Sequence, residues 1–188
     1  MRIWIVALFI FCFSGIAHAA PVNVQLKGSF DFLSDAPMEK IEGLAKGTGQ
    51  ISLDVDNVSQ LKGTVTVPVA GMETGNETRD EHLRSETWLN ASAHPNITYV
   101  IESAEVLNEK RKGELGIFKL RVKGTFTLHG VSKPLETVVT LKSKANKYKV
   151  SADFQIALAD YEVVGASGIV GSKVGKTISI KVNMRGKS

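Results

Sequence analysis

From Val22 onward the chain alternates apolar and polar residues for most of its length. Val22, Val24, Leu26, Gly28, Phe30 and Phe32 share one parity, and Asn23, Gln25, Lys27, Ser29 and Asp31 take the other. The pattern returns at Ile51, Leu53 and Val55, and again at Leu61, Val65, Val67 and Val69. Ile97, Tyr99 and Ile101 open another run, followed by Phe118, Leu120, Val122, Phe126 and Leu128. Leu135, Val139 and Leu141 come next, then Val150, Ala152, Phe154, Ile156 and Leu158, and finally Ile178, Ile180, Val182 and Met184. A period of two puts successive side chains on opposite faces of a strand, whereas a helix needs a period of about 3.6. The chain therefore reads as all-β, with about eight strands that each carry one apolar and one polar face.

The connections "NVSQ", "NEKRKG", "HGVSKP" and "KANK" are short and hairpin-like. Antiparallel strands joined this way form a sandwich or a closed barrel. The run Gly116–Leu128 favours an eight-stranded barrel, because thirteen residues at about 3.3 Å each exceed an ordinary strand. A strand that long bends, and Gly124 is the expected place for the bend or a bulge. Alternation does not say which face points inward, since an outer-membrane barrel turns the same apolar face to lipid. Unequal strand lengths, the lack of paired aromatic girdles and the many Lys at polar positions favour a soluble barrel with an apolar interior. No internal repeat or linker divides residues 20–188, which read as one domain.

Residues 1–19 stand apart. Arg2 precedes eleven apolar residues, Ile3 to Phe13, and then comes Ala17-His18-Ala19, the pattern of a cleaved secretory signal peptide. A spanning helix needs about 20 apolar residues, so the run is too short to anchor the chain. Cleavage after Ala19 removes Cys12, the sole cysteine, and leaves 169 residues with neither disulfides nor thiolate metal sites. A periplasmic or secreted location is expected. The remaining 22 basic and 19 acidic side chains form no long basic block and no basic stripe with interleaved aromatics, which argues against nucleic acid.

One stretch breaks the alternation: "ETRDEHLRSETWL", residues 77–89. Thr78 and Glu81 have capping-box spacing, Asp80 lies in the first turn, and Asp80 precedes Arg84 by four. Ser85 can cap a second turn holding Trp88 and Leu89, and Pro95 forces His94 out of the helical region. A short helical segment near residues 79–90 is thus expected, with Leu83, Trp88 and Leu89 free to bury. It either plugs one end of the barrel or covers an opening, with Arg79, Asp80 and His82 at a ligand's mouth.

Catalytic and metal chemistry find little footing. No nucleophile-elbow motif accompanies the many Ser and Asp residues, and no metal-ligand spacing accompanies His82, His94 or His129. His129, in "LHGVSKP", reads as turn chemistry at a ligand's edge. Two other classes stay open: an enzyme for a hydrophobic substrate with Asp80 and His82 as an acid–base pair, and a structural domain with a filled core.

"TRDEHLRSETWLNASAHPNITYV" resembles the signature of the YceI-like family, a lipocalin-like polyisoprenoid-binding family. "VKGTFTLHGVSKPLETVVTL" is similar to a second element of that family, and "GSKVGKTISIKVNM" to its last strand. Together they cover roughly Thr64 to Met184. The stretch "SDAPMEKIEGLAKG" lacks the usual His-Ser opening, and "YEVVGASGIVGSKVG" departs from the usual acidic, Asn/Arg-rich form. The resemblance implies a lipocalin-like barrel that binds rather than catalyses. It would hold a long hydrophobic chain (an isoprenoid, an isoprenoid quinone or an acyl lipid) for transport, storage or stress protection, with no covalent cofactor. The implied ligand contacts are Arg79, Asp80, His82, Leu83 and Trp88 at the mouth, Phe118, Leu120, Val122, Phe126 and Phe154 inside, and His129 at the edge. A transient membrane contact and a homodimer stay open.

Overall fold

The computed structural model describes residues 20–165 and 173–188, so the expected signal peptide lies outside the described residues. Eight strands follow one another: β1 (Val22–Asp35), β2 (Lys40–Leu53), β3 (Lys62–Pro68), β4 (Asn96–Lys112), β5 (Leu115–Leu128), β6 (Val131–Lys144), β7 (Lys147–Ala157) and β8 (Thr177–Lys187). One helix, α1 (Glu77–Arg84), interrupts them between β3 and β4. Each strand pairs antiparallel with the next and β8 pairs back onto β1, which closes an eight-stranded barrel. At that seam Gly28 and Gly186 permit a close approach. A Cβ on Gly28 would stand 2.1 Å from the Asn183 carbonyl oxygen, and one on Gly186 would stand 2.0 Å from that of Gln25.

The apolar parity faces inward. Phe118, Leu120, Val122, Phe126 and Leu128 on β5 are buried, while Lys119 and Lys123 between them are exposed. Two strands run longer than the alternation suggests, for different reasons. On β2 the inward positions Gly43, Ala45, Gly47 and Gly49 are too small to register as an apolar run. The second half of β4 is mostly exposed and shifts register twice, between Ile101 and Ser103 and between Val106 and Asn108, so its parity breaks.

The bend expected in β5 proves to be a bulge on its partner. Gly124 faces Ile101 beside the first β4 shift, and a Cβ there would lie 2.1 Å from the Val100 carbonyl oxygen. The "HGVSKP" connection is tighter than expected, since only His129 and Gly130 turn. Both have positive φ (53° and 76°), the geometry of a two-residue hairpin turn. Pro134 is tolerated inside β6 because β7 pairs with β6 only from Val139 on.

One end of the barrel is solid. Val24, Leu53, Phe118 and Leu120 pack there, with Val58 from the turn Val58–Gln60 beneath them. The Arg111 guanidinium lies 5.3 Å from the Phe118 ring centre and donates to the Val55 carbonyl at 2.7 Å, covering this end from outside. The other end is looser. Phe126 meets Phe154 and Tyr161 edge to face at 6.1 and 5.4 Å, leaving open space beside them.

Candidate ligand-binding site

That space is a cavity of about 590 Å³ with a mostly apolar lining, opening beneath α1. Small residues on β2 keep it wide. A Cβ on Gly43 would meet the Phe32 ring at 2.1 Å, and one on Gly47 would meet the Phe30 ring at 2.7 Å. Both rings therefore lie back against the glycines instead of filling the lumen. The long inner wall carries Val122, Phe126 and Phe154, as expected, and also Tyr99, Leu135 and Ile180.

The mouth is built by the segment that broke the alternation. Its helix starts two residues earlier than the capping box suggests. Asn76 is the N-cap, its side-chain oxygen accepting from the Arg79 amide at 3.0 Å. Thr78 therefore sits inside the first turn and caps nothing. Asp80 does not reach Arg84 either. It is buried and accepts from the Thr74 amide at 2.7 Å and from the Thr74 hydroxyl at 2.5 Å, while Arg84 donates to the Met72 carbonyl at 3.1 Å. Asp80 thereby pins the segment before the helix, which a paired backbone bridge between Leu44 and Glu73 ties to β2.

Arg79 spans the opening. Its guanidinium donates to the Thr74 hydroxyl at 2.9 Å, to the Thr74 carbonyl at 3.0 Å and to the Glu39 carboxylate at 2.7 Å. Lys173 approaches the other Glu39 oxygen at 3.8 Å. The polar rim thus comprises Glu39, Asn76, Thr78, Arg79, His82 and Lys173. Leu83 and Trp88 line the cavity just below, and Trp88 packs over Gly165.

Four expected contacts lie elsewhere. Phe118 and Leu120 are fully buried in the solid end, Asp80 faces Thr74, and His129 sits in the β5–β6 turn, its Nδ1 3.3 Å from the Tyr161 carbonyl oxygen. Phe30, Phe32, Glu39, Tyr99, Thr137 and Lys173 line the cavity without having been singled out. The β1 alternation already pointed Phe30 and Phe32 inward, whereas nothing in the sequence marks Glu39 or Lys173.

Two polar groups face the apolar part. The Tyr99 hydroxyl donates to the Leu135 carbonyl at 3.0 Å, and its pKa is pushed up to about 12, by burial first and then by Glu102 and Glu136. The Thr137 hydroxyl is buried with no hydrogen-bond partner. Asp80 and His82 share no hydrogen bond, and among the described residues no group of three His, Cys, Asp or Glu converges as a metal site would require.

Known proteins share this architecture. A YceI-like domain model matches residues 18–185. Protein YceI of Salmonella newport is 26% identical over 179 residues, covering 89% of this chain and 89% of the relative. BcnA of Burkholderia cenocepacia superposes with a TM-score of 0.70 at 18% identity, over 85% of this chain and 95% of its own. A polyisoprenoid binding domain from Saccharophagus degradans, implicated in plant cell wall breakdown, gives 0.64 at 13% identity, over 88% and 98%. At these identities the two structures speak for the fold, and the family model speaks for kinship over nearly the whole barrel. The chain, with its closed eight-stranded barrel and helix-covered mouth, belongs to the YceI-like domain family.

Proposed function

We propose that the protein binds one amphiphilic molecule, its hydrophobic chain inside the barrel and its head at the Glu39–Arg79 rim. The observation that carries this is the cavity: about 590 Å³ of apolar space open at a polar mouth, in a domain whose other end is fully packed. Empty apolar volume of that size is destabilising, because wall atoms lose contacts they would otherwise make. An occupant offsets that cost. The polyisoprenoid-binding neighbour, similar in fold, supports an isoprenoid or comparable chain.

Size narrows the choice. A cavity of about 150 Å³ takes one benzene, so this one holds roughly four times as much, on the order of 24 carbon atoms. A four- or five-unit isoprenoid or a long acyl chain fits, and longer chains protrude through the mouth. The head needs polarity to match the rim, and the unpartnered Thr137 hydroxyl would favour a hydrogen-bonding atom deeper in the site.

Acid–base catalysis has weaker support. Asp80 already accepts two hydrogen bonds from Thr74 and does not orient His82, so binding without turnover is the better account. In this proposal residues 1–19 direct export, and the barrel carries, stores or protects its ligand outside the cytoplasm. Native mass spectrometry of protein purified without detergent tests it. A co-purifying mass matching a lipid of roughly 20–25 carbons is expected. Uniformly empty protein that also fails to take up isoprenoid or fatty alcohols would sink the proposal.

A further inference from the structure

The barrel's outer surface carries a charge arrangement that the linear sequence hides. In one cross-strand row, Lys142 on β6 faces Lys149 on β7, Lys149 faces Arg185 on β8, and Arg185 faces Lys27 on β1. In the next row toward the solid end, Lys144 faces Lys147 and Lys147 faces Lys187. All seven side chains are exposed, and none joins an ion pair among the described residues. The row on the other side, Thr140, Ser151, Asn183 and Ser29, is uncharged. The nearest strand carboxylates on this face, Asp153 and Asp31, stand one row further on, opposite Lys181.

Like charges directly opposite each other weaken a sheet, and here they repeat across four strands and two rows. The seven exceed the chain's whole net charge of +4, so the rest of the protein is net acidic. Some cations elsewhere on the same barrel are neutralised: Arg121 meets Glu105 at 2.7 Å and Glu136 at 3.2 Å, and Lys123 meets Glu136 at 3.4 Å. Other cations without an ion pair, such as Lys46 and Lys119, face uncharged partners (Ser29, and Asn108 and Thr140), so the facing of cation by cation across several strands belongs to this face.

We propose that this face docks on an anionic lipid bilayer, its rows lying against the phosphate layer. Adjacent strands lie about 4.8 Å apart, so four of them present charge across roughly 15 Å of gently curved sheet, a match for an array of headgroups. A surface of six lysines and one arginine suits headgroups better than a protein partner, since lysine is depleted and arginine enriched at protein interfaces. Single-stranded nucleic acid would need exposed rings for stacking, and the aromatic residues Phe118 and Tyr148 at this end are both buried. Clusters of four to eight basic residues are sufficient for attraction to anionic membranes. Docking by this face leaves the mouth, at the opposite ends of the same strands, outside the contact. The inference holds whether or not the cavity carries a ligand.

Vesicle co-sedimentation of the full chain tests it. Vesicles of pure phosphatidylcholine are compared with vesicles containing about 30% phosphatidylglycerol, so any pull from the apolar N-terminus cancels in the difference. Binding at least about tenfold tighter to the anionic vesicles is expected, with the difference vanishing in about 0.5 M salt. The double variant Lys142→Glu/Lys149→Glu should lose that preference while its cavity still takes up a fluorescent fatty acid. Lys144→Gln/Lys147→Gln, which only neutralises, should lose part of it. Equal binding to both vesicle types, or an undiminished preference in both variants, would overturn the proposal. So would a salt-sensitive affinity for heparin or an oligonucleotide far above that for the vesicles.

Discussion

Arg79 and Glu39 meet at 2.7 Å across the mouth of the barrel, and Lys173 reaches the same carboxylate at 3.8 Å. The helix therefore does not offer an arginine free to grip an anion. Glu39 divides its charge between two cations, and the rim carries one net positive charge among these three groups. A neutral or weakly anionic head suits it better than a strongly charged one.

Glu39→Gln should change head preference more than stability. The pair is partly exposed, so its loss should lower stability by less than about 1 kcal/mol. With both cations released, a chain ending in phosphate should gain roughly twofold to fivefold over the corresponding alcohol. Titration calorimetry with a matched alcohol and monophosphate reads the ratio. An unchanged ratio would mean that the head does not sit at this rim.

Gly43→Ala should shorten the ligand that fits best. The new Cβ would stand 2.1 Å from the Phe32 ring, which lines the cavity and, displaced toward the lumen, takes up ligand space. In the wild type each added CH₂ should tighten binding by about 0.8 kcal/mol until the cavity fills near 24 carbons. In the variant the plateau should come several carbons earlier with the melting temperature little changed. Affinity that does not depend on chain length in either protein would remove the cavity from the account.

Helix capping separates two neighbouring residues. Asn76→Ala should cost about 0.5–2 kcal/mol, because it frees the Arg79 amide. Thr78→Ala should change stability by less than about 0.5 kcal/mol. Urea melts of both variants measure this, and equal losses would contradict the assignment of Asn76 as the cap.

Tyr99 sets an alkaline limit. Its folded pKa of about 12 lies above the ordinary 10.0, so the unfolded chain loses the phenol proton first. Its contribution to stability is complete below about pH 10 and falls as pH rises toward 12. Tyr161, raised by burial and by Asp160, acts in the same direction. The stability gap between wild type and Tyr99→Phe should therefore narrow from about pH 9 to pH 11. Melting curves that stay parallel over that range would show that Tyr99 titrates normally.

Fold class and strand number were legible because a period of two survives wherever one face is apolar and the other polar. The hidden parts have particular causes. Inward glycines on β2 leave no apolar rhythm, and β4 breaks its parity at two bulges. At the site, alternation identified the wall residues Val122, Phe126 and Phe154, yet it could not say at what depth packing ends, so Phe118 and Leu120 were grouped with them. Glu39, Lys173 and the seven-cation face belong to residues far apart in sequence. Loops at the mouth bring Glu39 and Lys173 together, and strand register assembles the cation face.

The seam between β1 and β8 differs in kind from the other seven junctions. Those join strands consecutive in the chain, while the seam pairs Gln25 with Lys187 and Ser34 with Ile178, across nearly the whole sequence. Closing so long a loop carries the largest entropic cost, so hairpins should assemble first into an open, curling sheet and the ring should shut last. Until then β1 and β8 are bare edges beside an exposed apolar face, the condition in which chains stick to one another. A side chain at Gly28 or Gly186 would meet the partner strand's backbone at about 2 Å and so obstruct this closing step, prolonging the interval in which both edges are bare.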